Sequence, residues 1–388
     1  MRDSGRVLVV APEWPGRTSG YGLAIESMLD VLVEEWEGVD LCSFSPSAEP
    51  AALRPAIRTN WLRPPDLPPI ARFILSLPGA YPAVAWRPRA VSSGLADWVE
   101  AEGGTASWQA VLLEDLPAAE AWRRAGLVHQ RIHLRLHNVL ADAFRGLDRR
   151  GGAPRRMAWR YERRRIERWE RGLVHRHRGN LSTLSEADSL RLADRYGAGS
   201  SVVPVAIQVN RYAGLEPGEA RTFVHVGSAD ERKGAGLFDF VDRAWPRIRE
   251  HRPEVHLLLA GRGTRAFHDP AAGIEGLGFV EDARAVLAQG RIFVNPQTVG
   301  SGVKLKSLVA MASGRCLLTY PEGIRGVPAR DGRDCAVVSS VDEMVTRAVA
   351  LVDDPAVTSR IARGGERLVC REFTNESVRA ALPASLRP

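Results

Sequence analysis

The chain has 388 residues, 45% hydrophobic and 26% charged, with a net charge of +7; that is too long for one ordinary domain and can fill two cores. Charge of mixed sign on this much apolar sequence excludes a disordered chain, and the positive balance favours anionic partners such as nucleotides, phospholipid surfaces or nucleic acid. Cys42, Cys316, Cys335 and Cys370 lack metal-ligand spacing and read as reduced, while no stretch reaches the roughly 18 uninterrupted apolar residues of a spanning helix.

In chain order, "RVLVVAP" (6–12) predicts a buried parallel strand, too short for a signal peptide, so the expected location is the cytoplasm. A loop with Gly16, Gly20 and Gly22 follows, then a helix over 23–36, the opening unit of a doubly wound α/β domain. Residues 39–44 predict a second strand. Residues 46–90 are rich in proline and give no assignment. "QAVLLEDLP" (109–117) and "QRIHLRLHN" (130–138) predict further strands. A strongly basic helix spans about 154–178. Then come a strand at "NLSTLS", a helix opening at Ser185 and a strand over 201–207. Near 220 a second set begins, with strands at 222–228, 255–261, 274–280, 291–296 and "CLLTYP" alternating with helices. The expectation is two Rossmann-like domains, 1–210 and 211–388, with parallel sheets facing a central cleft. Ligands then belong beyond the carboxyl ends of the strands.

The stretch "VGSGVKLKSLVAMASG" (299–314) sits after such a strand. Gly300 and Gly302 allow close backbone approach to an anion, a helix start offers unpaired N–H groups, and Lys304 and Lys306 add cations. The arrangement suits a diphosphate; a tight turn with solvated lysines is the alternative. "GSADERKG" (227–234) offers Arg232 and Lys233 before another helix, or an ordinary charged loop. Gly16, Gly20 and Gly22 lack dinucleotide-fingerprint spacing, which argues against a redox cofactor. His137 ends its strand beside Asn138 and shares a face with His133; there it can donate a hydrogen bond, move a proton, or serve structure alone. No nucleophile elbow, P-loop, zinc-protease motif or metal-holding Asp-x-Asp is present, so no metal or cofactor is expected.

From about 222 to 352 the segments "FVHVGSADERKG", "HLLLAGRG", "GLGFVED", "IFVNPQTVGSGVKLKSLVAMASGRCLLTYPEGIRGV" and "DGRDCAVV" resemble the retaining GT-B glycosyltransferases of the group 1 family, family 4 of the sequence classification. "TSGYG" and "RLHN" in the first half match more loosely. The resemblance implies metal-independent sugar transfer, with retention, from a nucleotide-sugar donor to a glycan, lipid-linked or small-molecule acceptor. It implies that Lys233, Arg232 and Lys304 hold the donor diphosphate with the N–H groups of Gly300, Ser301 and Gly302, that Lys306 assists, that Gly20 approaches it, and that His137 contacts the transferred sugar. It also implies that the terminal helix, 366–388, returns to the first domain. Two family glutamates are replaced, by Ser301 and Val309, and Val309 fits an apolar stripe with Leu305, Leu308 and Ala312. The other function class in view is therefore a catalytically degenerate homologue acting as a binding or partner subunit.

The basic helix, "PRRMAWRYERRRIERWERGLVHRHR", carries about a dozen arginines between 149 and 178 with Trp159, Tyr161 and Trp169. One reading is a solvated helix whose Glu162, Glu167 and Glu170 pair locally with arginines. The other is peripheral contact with an anionic membrane. No nucleic-acid module surrounds it, so nucleic acid is not an expected partner.

Overall fold

A computed structural model describes residues 5–16, 19–44, 53–78, 81–144, 152–216, 218–229 and 235–388. The chain forms two compact units. Residues Met1–Ala206 and Val378–Pro388 make the first, and Ile207–Ser377 make the second.

The first unit is built on β1 (Arg6–Ala11), β2 (Gly38–Phe44), β3 (Ile57–Leu62), β4 (Ala110–Glu114), β5 (Ile132–Leu136), β6 (Leu181–Thr183) and β7 (Ser201–Val202). They form one parallel sheet in the order β3-β2-β1-β4-β5-β6-β7. Val7, Leu8, Val9 and Val10 are fully buried, as an apolar run covered on both faces should be. β3 lies in the stretch that sequence leaves unassigned. It is an edge strand with Arg58 and Thr59 exposed, so it carries no apolar run. The strand predicted over 201–207 is only two residues long; Pro204 has no N–H for a ladder. Val378, Leu382 and Leu386 are buried in the core with Val9, Leu32 and Trp36, and Trp36 Nε1 donates to Leu386 O at 3.1 Å.

The second unit holds β8 (Glu219–Val226), β9 (His256–Ala260), β10 (Ile274–Gly278), β11 (Gly290–Asn295), β12 (Cys316–Thr319) and β13 (Ala336–Val337), parallel in the order β10-β9-β8-β11-β12-β13. Both sheets reverse direction of winding beside their first strand, between β1 and β4 and between β8 and β11. Those switch points leave a crevice at the carboxyl ends of the strands.

The basic helix spans Ala153–Arg176. Among the described residues, its acids form a local pair at Glu162 with Arg165, at 3.0 Å, which is buried. Glu167 reaches Arg195 on another helix. Glu170 turns inward and accepts from Leu140 N at 2.6 Å, Ala141 N at 2.9 Å and the Tyr196 hydroxyl at 2.7 Å. Burial pushes its carboxyl up to about 7. Among the described residues, no helix is long and apolar enough to cross a membrane.

Candidate functional site

At the β8/β11 switch point, the chain leaves β11 through Asn295 and returns as the helix Leu305–Ala312. Gly300 at φ +152° and Gly302 at φ +69° bend the intervening loop through backbone conformations that side chains disfavour. Lys304 caps the helix and is only 8% exposed. Its ammonium donates to Ser301 O at 3.0 Å, Gly302 O at 2.8 Å and Glu322 Oε1 at 2.9 Å. The lysine is thus a tether inside the loop rather than a solvated cation. The N–H groups of Gly300, Ser301 and Gly302 donate to no acceptor among the described residues. The loop directs carbonyls at the lysine and leaves its N–H groups for an anion.

Glu322 lies in the turn Pro321–Ile324 after β12. Its Oε1 also stands 3.6 Å from Arg325 Nη2, which reaches Gly300 O at 3.5 Å. Behind this group a buried polar knot fixes the helix to the sheet. Asn295 Nδ2 donates to Ser307 Oγ at 2.8 Å and Gly323 O at 3.2 Å, and Ser307 Oγ donates to Gly323 O at 2.6 Å. Gly323 has no room for a side chain: a Cβ would lie 2.1 Å from Thr319 Oγ1. No local spacing points to Glu322 or to this knot, since the partners come from three separate segments.

Lys306 is half-buried and reaches the end of β8, where a Cβ on Gly227 would lie 3.3 Å from its ammonium and 3.0 Å from His225 Nε2. His225 Nδ1 bonds Val294 O at 2.8 Å; burial, then Lys306, push its pKa down to about 3, so it is neutral. The one visible signal for His225 is a polar residue in the apolar run "TFVHV". Val309 corrects the expected stripe: Leu305, Leu308 and Ala312 are buried, with Ser307, Ala310 and Met311, but Val309 is only half-buried. Arg232 and Lys233 lie outside the described residues. The helix after them packs tightly on the β11 loop, because a Cβ on Gly236 would lie 1.9 Å from Pro296 O.

In the first unit, His137 follows β5 and is buried, its Nε2 2.6 Å from Glu114 Oε2. Glu114 ends β4 and faces Arg135 across the β4/β5 ladder; Arg135 Nη1 donates to its two oxygens at 3.2 and 3.4 Å. Burial pushes the Glu114 carboxyl up, but Arg135 and His137 outweigh it and hold the pKa below the ordinary value. Arg135 also donates to Ala24 O and Pro204 O. Asp115, the next residue, is held at φ +69°, and burial raises its carboxyl pKa. Gly20 opens the helix Gly20–Glu35 and is exposed, while Ser19 caps that helix by accepting from Gly22 N at 2.9 Å. The glycine loop meets His137 through Tyr21, whose ring centroid is 4.4 Å from the imidazole. His133 sits deeper, between Ser182 and Ser385, with its pKa lowered by burial to about 4.

Residues 220–354 match the family model described as "Glycosyl transferases group 1". A search of curated protein sequences finds no match. Among solved structures, the chain is similar to a sucrose-phosphate synthase from Thermosynechococcus elongatus, at 13% identity and a TM-score of 0.70 over 97% of this chain and 96% of that one. It is similar to HepE of Anabaena in complex with UDP and glucose, at 12% identity and a TM-score of 0.66 over 96% and 97%. It is also similar to an α,α-trehalose 6-phosphate synthase from Burkholderia multivorans, at 16% identity and a TM-score of 0.63 over 99% and 98%. At these identities the likeness establishes the fold, the two Rossmann-like domains of GT-B. Residues 220–354 thus match the group 1 glycosyltransferase model, on a chain that has the GT-B fold along nearly its whole length.

Proposed function

We propose that the protein transfers a glycosyl group from a nucleotide-sugar donor, with retention and without a metal, to a glycan, lipid-linked or small-molecule acceptor. The observation that carries this reading is the loop 300–304, built with open N–H groups and a held lysine at the switch point of the domain that matches the transferase family. The second unit takes the donor, and the first takes the acceptor. In this proposal Lys304, Lys306, Lys233, Arg232 and the Gly300–Gly302 backbone hold the diphosphate, with Gly20 approaching it. His137 contacts the transferred sugar, and Glu114 keeps it oriented. Fixed cations and dipoles would stabilise the departing diphosphate more than the bound donor, which is what lowers a barrier. Structures of HepE contain UDP or UDP-glucose, which agrees with a donor of this class.

One observation favours a second reading, the catalytically degenerate binding subunit. The Lys304 ammonium is already engaged by two carbonyls and Glu322, and Val309 offers no acid to a ribose. Calorimetry with UDP, GDP, dTDP and ADP, on wild type and Lys304→Ala, separates the two. Selective binding of one diphosphate that the variant loses supports the transferase. Silence with all four, together with no donor cleavage in a cell-derived acceptor extract, rejects it.

A further inference from the structure

The helix Pro69–Ser76 is inside out. Its one buried residue is Ser76, whose hydroxyl donates to Phe73 O at 2.7 Å and accepts from Arg165 at 2.8 Å. Its large apolar residues face solvent: Ile70 is 64% exposed, Ile74 56%, Leu75 51% and, just beyond, Leu77 40%. Ile70, Ile74 and Leu77 follow i, i+4, i+7 spacing and so form one stripe. Exposed apolar residues in a continuous row mark an interaction surface, whereas single ones do not.

The basic helix continues this surface. The Arg165 guanidinium lies 5.9 Å from the Phe73 ring and 5.2 Å from the Tyr161 ring, so Tyr161 stands beside the Pro69–Ser76 helix. Met157, one turn earlier, is 70% exposed and Tyr161 is 47% exposed. At about 100° per residue, Arg160, Arg164 and Arg168 form the next ridge round the helix. All three are exposed and have no acidic partner among the described residues. Glu162 and Glu170 are buried and Glu167 is paired with Arg195, so an apolar row borders a cationic one.

We propose that this two-helix edge docks on an anionic lipid bilayer, with Ile70, Ile74, Leu77 and Met157 entering the acyl boundary and Arg160, Arg164 and Arg168 meeting lipid phosphates. The pairing of the two rows selects the occupant. Nucleic acid would leave the apolar row wet. A second copy related by a twofold axis would set the arginine ridge against itself. A bilayer with negative headgroups satisfies both rows at once. The inference stands apart from the transfer reading, because vesicle binding is measured without donor or acceptor.

The test is co-sedimentation of the full chain with vesicles of phosphatidylglycerol and phosphatidylcholine, and with phosphatidylcholine alone. Binding is expected only to the anionic vesicles at about 0.05 M salt, and is lost at about 0.5 M. The double variants Ile70→Ser/Ile74→Ser and Arg160→Glu/Arg164→Glu should each weaken it roughly tenfold or more while the circular dichroism spectrum stays unchanged. No sedimentation at low salt overturns the proposal. So does binding that the isoleucine variant leaves intact. A concentration-dependent dimer that this variant abolishes assigns the surface to a second copy and also overturns it.

Discussion

Each unit places a glutamate against a cation of the chain at the carboxyl ends of its strands, and the two arrangements have opposite characters. Glu114 is fully buried, and its partners Arg135 and His137 come from the neighbouring strand and its end. Glu322 sits on a turn with its side chain 16% exposed, against a lysine that also leans on two carbonyls. The first carboxylate cannot leave without stranding a buried guanidinium. The second is partly open, and in the proposed donor site an arriving diphosphate would take its place beside Lys304. Burial, more than the identity of the paired charges, decides which ion pair is framework and which is exchangeable.

The largest effect that would sharpen this contrast is Glu114→Gln. Leaving Arg135 buried without its counter-charge should lower stability by about 3 to 5 kcal/mol, seen as an earlier denaturant midpoint for the first unit. An unchanged midpoint would mean that Arg135 is satisfied by Ala24 O and Pro204 O alone. Next is Lys304→Ala, expected to weaken diphosphate binding by roughly ten- to hundredfold, as loss of a charged hydrogen bond does; calorimetry reads it.

A pH series gives the third. Burial lowers the pKa of His133 and His177 to about 4 and that of His225 to about 3, while it raises Glu170 to about 7. The histidines bind protons more tightly when unfolded, so their contribution is lost as pH falls from about 6.5 towards 4. Glu170 acts in the opposite sense, adding stability as pH falls from about 7 to 4.5. The three histidines, with Glu114 held low, outweigh Glu170 and Asp115, so thermal stability should drop on acidification, and Glu170→Gln should make the drop steeper. A shallower drop in that variant would refute the sign. The smallest effect is Glu322→Gln, which removes a carboxylate that competes with a bound anion. Diphosphate affinity should rise several-fold, on the order of 1 kcal/mol; a fall would show that Glu322 positions Lys304 for binding.

Much of the fold is legible in the sequence because parallel strands covered on both faces write themselves as short apolar runs, as in "RVLVVAP" and "HLLLAG". β3 is not, because an edge strand with one wet face reads "IRTNWL". The site is legible as a loop but not as a network, and on β5 the alternation puts Arg135 on the same face as His137 without showing that both meet Glu114. Gly300, Gly302, Lys304 and Lys306 announce themselves by spacing, whereas Glu322 comes from the turn after the next strand and Glu114, the partner of His137, from the end of the neighbouring strand. Partners that topology brings together leave no mark in local spacing. Val309 shows the converse, since an apolar residue at helical spacing need not be sealed in the core.

The tail Val378–Pro388 closes the first unit, and the whole of Ile207–Ser377 is inserted ahead of it. During synthesis the second unit therefore emerges complete before the first can finish its core. Trp36 and His133 wait for Leu386 and Ser385, which follow the whole second unit in the chain. A chain interrupted after Ser377 would carry a finished second unit and an unfinished first one, so the first unit's folding depends on residues made only after the whole of the second.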